Sequence, residues 1–71
     1  MKQRIYLETL SQVQKFVAAV SQIDAPVYIT DGAGLKVSAK SLLGALYSLE
    51  FNTLYCECEH DIYSHIYEFT E

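Results

Sequence analysis

Cys56, Cys58 and His60 stand two residues apart from one another near the end of the chain, and among its side chains they are the ones best suited to a soft metal ion. On an extended strand, residues two apart point to one side, so all three would share a face. A structural zinc site usually takes four ligands, with its cysteines two to four residues apart, and a fourth ligand is not evident. A second reading fits the same positions. Leu54, Cys56 and Cys58 alternate with Tyr55, Glu57 and Glu59. That is the pattern of a half-buried strand, in which cysteine packs as a small apolar residue. It predicts two core cysteines and no metal. Two cysteines this close also make no disulfide framework.

The rest of the chain assembles no catalytic set. It has no serine–histidine–acid arrangement, no phosphate-binding loop and no His-Glu-x-x-His. Glu57 and Glu59 would lie on the outer side of the strand, where solvation explains them. Neither an enzyme nor a cofactor is expected. Ser41 is a favoured residue at a helix start, and Lys40 beside it adds positive charge.

The formal charge of −4 argues against nucleic acid as a direct partner. All five basic residues (Lys2, Arg4, Lys15, Lys36, Lys40) lie in the first 40 positions, and only acidic charges follow. A solvated surface accounts for this asymmetry, and a docking polarity is the sharper alternative. No stretch supplies the ~20 apolar residues of a membrane span, and the first residues do not read as a signal peptide. The expected setting is the cytoplasm, away from membranes.

Seventy-one residues make one domain, residues 1–71, that buries only roughly 60% of its unfolded surface. The elements that must position these side chains follow from periodicity. Lys2 to Leu7 alternates as a strand with Ile5 and Leu7 on one face. Thr9 and Gln12 match a capping box, opening an amphipathic helix with Leu10, Val13, Phe16, Val17 and Val20 on its apolar side and an end near Ser21. Asp24-Ala25-Pro26 breaks that helix, and Val27 to Thr30 is a second strand. Asp31 to Gly34 forms a turn, and Leu35, Val37 and Ala39 alternate with Lys36, Ser38 and Lys40 on a returning strand. Ser41 caps a helix from Leu42 to Leu49. Thr53 to Glu59 is the fourth strand, and Asp61 caps a last helical stretch with Ile62, Ile66 and Phe69 on one face. The order is βαββαβα. The predicted fold class is α+β: a four-stranded, mainly antiparallel sheet with helices on one face.

The stretch Val37-Ser38-Ala39-Lys40-Ser41-Leu42-Leu43-Gly44-Ala45-Leu46-Tyr47-Ser48-Leu49 resembles the central segment of the histidine-containing phosphocarrier (HPr) family of the bacterial sugar phosphotransferase system. In that family a strand ends in Ala-Lys-Ser and a short apolar helix follows. Phe16-Val17 and the hairpin from Val27 to Val37 fall at nearly the family's distances, so the resemblance covers most of residues 13 to 50. It implies an HPr-like open-faced β-sandwich with the order derived above. The family's phosphoryl carrier is the histidine of a Gly-Leu-His-x-Arg-Pro motif at the first helix N-terminus. The aligned run here is Leu7-Glu8-Thr9-Leu10-Ser11-Gln12. Thr9 takes the histidine position and Ser11 the arginine position, so phosphoryl carriage is not expected.

Ser41 matches the serine that some members present to a dedicated kinase, and Leu42, Leu43 and Leu46 match the family's partner-docking patch. The resemblance therefore implies a non-catalytic regulatory or adaptor protein. It would bind a protein partner through Lys40, Leu42, Leu43 and Leu46, under control of Ser41 phosphorylation. The partner would be a serine kinase or a transcriptional regulator of the carbon-catabolite type. An interaction module that keeps the fold without any phosphotransferase role is the alternative. Tyr55, Tyr63 and Tyr67 cluster in sequence near the C-terminus, and tyrosine suits interfaces, so a homodimer is a further expectation. Cover for the edge of a thin core explains the same tyrosines.

Overall fold

A computed structural model describes residues Met1–Glu71. Lys2–Ile5 forms β1, Val27–Thr30 β2, Lys36–Ser38 β3 and Leu54–Cys58 β4; Leu10–Val20 forms α1, Leu42–Tyr47 α2 and Tyr63–Ile66 α3. Short 3-10 turns, Ser48–Glu50 and Tyr67–Phe69, continue α2 and α3. The order βαββαβα is the expected one. The four strands make a single sheet in the order β1-β4-β2-β3, with every neighbouring pair antiparallel. The architecture is α+β and compatible with an HPr-like open-faced sandwich.

Alternation along the strands separates two faces. Ile5, Val27, Ile29, Leu54, Cys56 and Cys58 are buried beneath the helices. Val13, Phe16 and Val20 close that core from α1, and Ile62, Ile66 and Phe69 close it from the C-terminal segment. The rings of Phe16 and Phe69 meet edge to face, with centroids 5.2 Å apart. The opposite face of the sheet carries no helix. Two rows of side chains cross it: Lys2, Glu57, Tyr28 and Ser38 in one register line, and Arg4, Tyr55, Thr30 and Lys36 in the next.

The expected elements are realised with adjustments. Leu10 begins α1 but is exposed, so the buried stripe of the helix starts at Val13. The returning strand is only three residues long. Leu35 belongs to the preceding turn, because Asp31 Oδ1 accepts from both Ala33 N (2.7 Å) and Leu35 N (3.0 Å) and holds that segment curled. The second helix relaxes to 3-10 geometry at Ser48, a buried serine whose hydroxyl donates back to the carbonyl of Ala45 at 2.5 Å. In the last helix the N-cap is Ile62 rather than the expected Asp61, which stands one residue earlier and whose Oδ1 accepts from Tyr63 N at 3.0 Å. The helix proper lasts one turn before tightening. No helix is long and apolar enough to cross a membrane.

Candidate functional site

Ser41 has extended backbone, and its Oγ accepts from Gly44 N at 3.2 Å, so the serine caps α2 as its type predicts. It is exposed. Lys40 is exposed as well, but its ammonium reaches back to donate to the carbonyl of Ile23, just past the end of α1. The lysine thus braces the helix-to-strand connection.

Beyond Ser41, α2 splits its apolar residues between two directions. Ala45 is fully buried and Leu46 packs partly against the core. Leu43 is 80% exposed, Tyr47 55% and Leu42 42%, and Leu49 in the following 3-10 turn is also exposed. Tyr47 meets Phe51 edge to face at 5.7 Å, which extends the apolar surface around the end of the helix. No charged residue occurs between Lys40 and Glu50. Ser41, Leu42 and Leu43 are thus accessible in one stretch, whereas Lys40 turns its ammonium toward Ile23 and Leu46 is half-buried. Gly44 permits the close seat of the helix: a Cβ there would lie 3.2 Å from the backbone oxygen of Ser38.

The start of α1 is arranged differently from a phosphoryl site. A helix N-terminus leaves backbone N–H groups free for an anion. Here Gln12 Oε1 accepts from Glu8 N (2.7 Å) and Thr9 N (3.1 Å), while Thr9 Oγ1 accepts from Gln12 N (3.1 Å). The capping box thus occupies the N–H groups of Thr9 and Gln12 and leaves those of Leu10 and Ser11, and Glu8 adds a carboxylate beside them. Ser11 is exposed on the first turn and brings no positive charge.

Cys56 and Cys58 are both buried free thiols, and burial, reinforced by the neighbouring Cys58, pushes the Cys56 thiol up to about 12. His60 is exposed beyond the strand end, and no group of three His, Cys, Asp or Glu side chains is placed to hold a metal ion. His65 is exposed on α3. The three tyrosines near the C-terminus do not form one surface. Tyr63 and Tyr67 are exposed on the helical side, whereas Tyr55 lies on the open face of the sheet between Arg4 and Thr30.

That open face holds residues to which no sequence motif points. Lys2 Nζ stands 4.9 Å from the centre of the Tyr55 ring, Lys36 Nζ 5.0 Å from Tyr28, and the Arg4 guanidinium 4.7 Å from Tyr6. Lys36 also pairs with Glu57 at 2.6 Å. The signal that could have found them is the polar half of the strand alternation.

Comparison with protein-family models, with curated proteins and with solved structures finds no match to this chain.

Proposed function

We propose that the protein is a non-catalytic adaptor of the phosphocarrier type, which binds a protein partner through the surface from Ser41 to Leu46. One observation carries the reading: a charge-free helix displays Leu42, Leu43 and Tyr47 to solvent together, and Leu43 is the most exposed large apolar residue of the chain. A contiguous apolar surface of this kind marks an interaction site. The start of α1 supports the non-catalytic half of the proposal: it carries Thr9 in place of a histidine and Ser11 in place of an arginine, and a phosphoryl group there would meet the Glu8 carboxylate. Phosphorylation of Ser41 is the proposed control. It would put two negative charges at the edge of the apolar patch, close enough for Lys40 to be drawn from Ile23. The partner class is a serine kinase or a transcriptional regulator of the carbon-catabolite type, and the setting is cytoplasmic.

The test is incubation with ATP and a purified phosphocarrier serine kinase, followed by intact mass spectrometry. One added phosphate that disappears in Ser41→Ala supports the regulatory reading. No phosphate, with an ordinary carrier modified in parallel, removes it and leaves the interaction module without a phosphotransferase role. The exposed Tyr63 and Tyr67 favour self-association as the form that module takes. Light scattering behind size-exclusion chromatography reads it directly: a monomer at high concentration excludes the homodimer. Acid-labile labelling from phosphoenolpyruvate would instead make the protein a carrier.

A further inference from the structure

The open face of the sheet gathers most of the basic residues of the chain. Three of the five basic residues, Lys2, Arg4 and Lys36, stand on it. Its carboxylate within the register lines, Glu57, is already paired with Lys36. Glu59 lies past the end of β4 at the rim, and Glu71 reaches the same side beside Arg4, accepting from the Tyr6 hydroxyl at 3.2 Å. A protein of net charge −4 therefore concentrates its positive charge on the one face that no helix covers.

Aromatic rings occupy the middle of that face. Tyr55 is on β4 and Tyr28 on β2, the two central strands, and they are diagonal neighbours because Tyr55 is opposite Thr30 and Tyr28 opposite Glu57. Such diagonal positions lie about 7–8 Å apart. The cations stand on the edge strands β1 and β3, so the charges surround the rings. An acidic peptide would use the cations and leave the rings idle. A duplex would offer phosphates but keep its bases stacked inside. A single-stranded polynucleotide presents flat bases and regularly spaced phosphates together, which is the combination that aromatic, basic sheet surfaces recognise.

We propose that the helix-free face binds single-stranded nucleic acid, with Tyr28 and Tyr55 stacking two bases and Lys2, Arg4 and Lys36 contacting phosphates. Lys2 and Lys36 rest over the tyrosine rings in the free protein. An exposed cation–π contact is weaker than a stacked base, so each lysine leaves its ring for a phosphate when a base arrives. α2 packs against β3 beneath this face, and the proposal is independent of the adaptor reading.

Fluorescence anisotropy with labelled oligothymidylate of about ten nucleotides tests the proposal. At about 50 mM salt the single strand should bind in the micromolar range and more tightly than its duplex with oligoadenylate. Three phosphate contacts give a slope of about −2 in log K against log salt, roughly a twentyfold loss between 50 and 200 mM. Tyr28→Leu should weaken binding about fivefold or more at an unchanged slope. The double variant Lys2→Gln/Arg4→Gln should reduce the slope to about −0.7. Glu57→Gln, which frees Lys36, should tighten binding, and Leu43→Ser on α2 should leave it unchanged. Circular dichroism melts confirm that each variant is folded. Absence of binding at about 0.1 mM protein, equal affinity for duplex and single strand, indifference to Tyr28→Leu, or tighter binding of poly-glutamate would each overturn the proposal.

Discussion

Thr9 and Gln12 close the start of α1 on each other. The threonine hydroxyl accepts the backbone N–H of Gln12 at 3.1 Å, and the glutamine side-chain oxygen accepts the N–H of Thr9 at the same distance. The reciprocal pair does for the helix what a bound anion would do, with groups the chain already owns. A position that could serve a phosphate becomes a structural clasp through two side chains.

Removing the clasp should be measurable in thermal unfolding. Thr9→Ala deletes the acceptor for Gln12 N, and a lost N-cap of this type costs about 1 kcal/mol. For a domain of this size that lowers Tm by about 4–8 °C. Thr9→Ser keeps the hydroxyl and should melt near the parent protein. An unchanged Tm in Thr9→Ala would mean that water replaces the hydroxyl without loss.

Gly32 is the second backbone position under tight constraint. Its φ is +78°, its N–H donates to Thr30 Oγ1 at 3.0 Å, and a Cβ would come within 3.0 Å of the Tyr55 ring. Gly32→Ala combines left-handed strain with that contact and should destabilise by about 1–3 kcal/mol. Denaturant unfolding measures the difference. Gly34 also has positive φ but meets nothing within 4 Å, so Gly34→Ala carries the strain alone and should cost less.

The two thiols should be silent in the native protein. Both are buried, and Cys56 is held protonated well beyond neutral pH. Only the thiolate attacks a disulfide reagent, so colour release from an aromatic disulfide should await unfolding and then report two thiols. Added zinc should leave Tm unchanged. Prompt reaction of a thiol in native buffer, or a zinc-dependent rise in Tm, would contradict the core assignment.

Stability should vary with pH at both ends of the scale. The hydrogen bond from Lys36 holds the Glu57 carboxyl below its ordinary 4.5, and the backbone N–H groups of Ala33 and Leu35 hold Asp31 below 3.8. A carboxylate with a depressed folded value stabilises above its unfolded value and loses that contribution as pH falls through the folded one. Lys36 is raised above 10.5 by the same Glu57, so its contribution is present below that value and lost as pH rises through the folded one. Tm should therefore fall below pH ~4.5 and again above ~10.5. Glu57→Gln should soften both limbs, and Asp31→Ala only the acid one. Salt should weaken the Lys36–Glu57 part, which is exposed.

Elements whose signals are local were legible in the chain. The Thr9 capping box and the apolar spacing of Val13, Phe16 and Val20 specify α1 almost to the residue. The alternation through Leu54, Cys56 and Cys58 places the cysteines in the core. Elements shaped by neighbours were not legible. Leu35 reads as a strand residue, yet the Asp31 carboxylate draws its N–H into the turn. Tyr55, Tyr63 and Tyr67 are close in sequence, yet a strand and a helix carry them to opposite sides. Lys40 stands beside Ser41 in the chain, yet its ammonium is spent on Ile23.

The sequence by itself determined the order βαββαβα, the helix caps, the apolar half of each element and the absence of a histidine at the start of α1. These follow from side-chain periodicity and from bonds between residues a few positions apart. Only the tertiary structure decided which strands are neighbours, and hence which outward residues meet. Lys2, Tyr28, Lys36 and Tyr55 share a surface because β4 is inserted between β1 and β2, bringing together segments from both ends of the chain. Long-range antiparallel pairing of that kind leaves no local pattern in the outward positions, since solvent accepts any polar residue there.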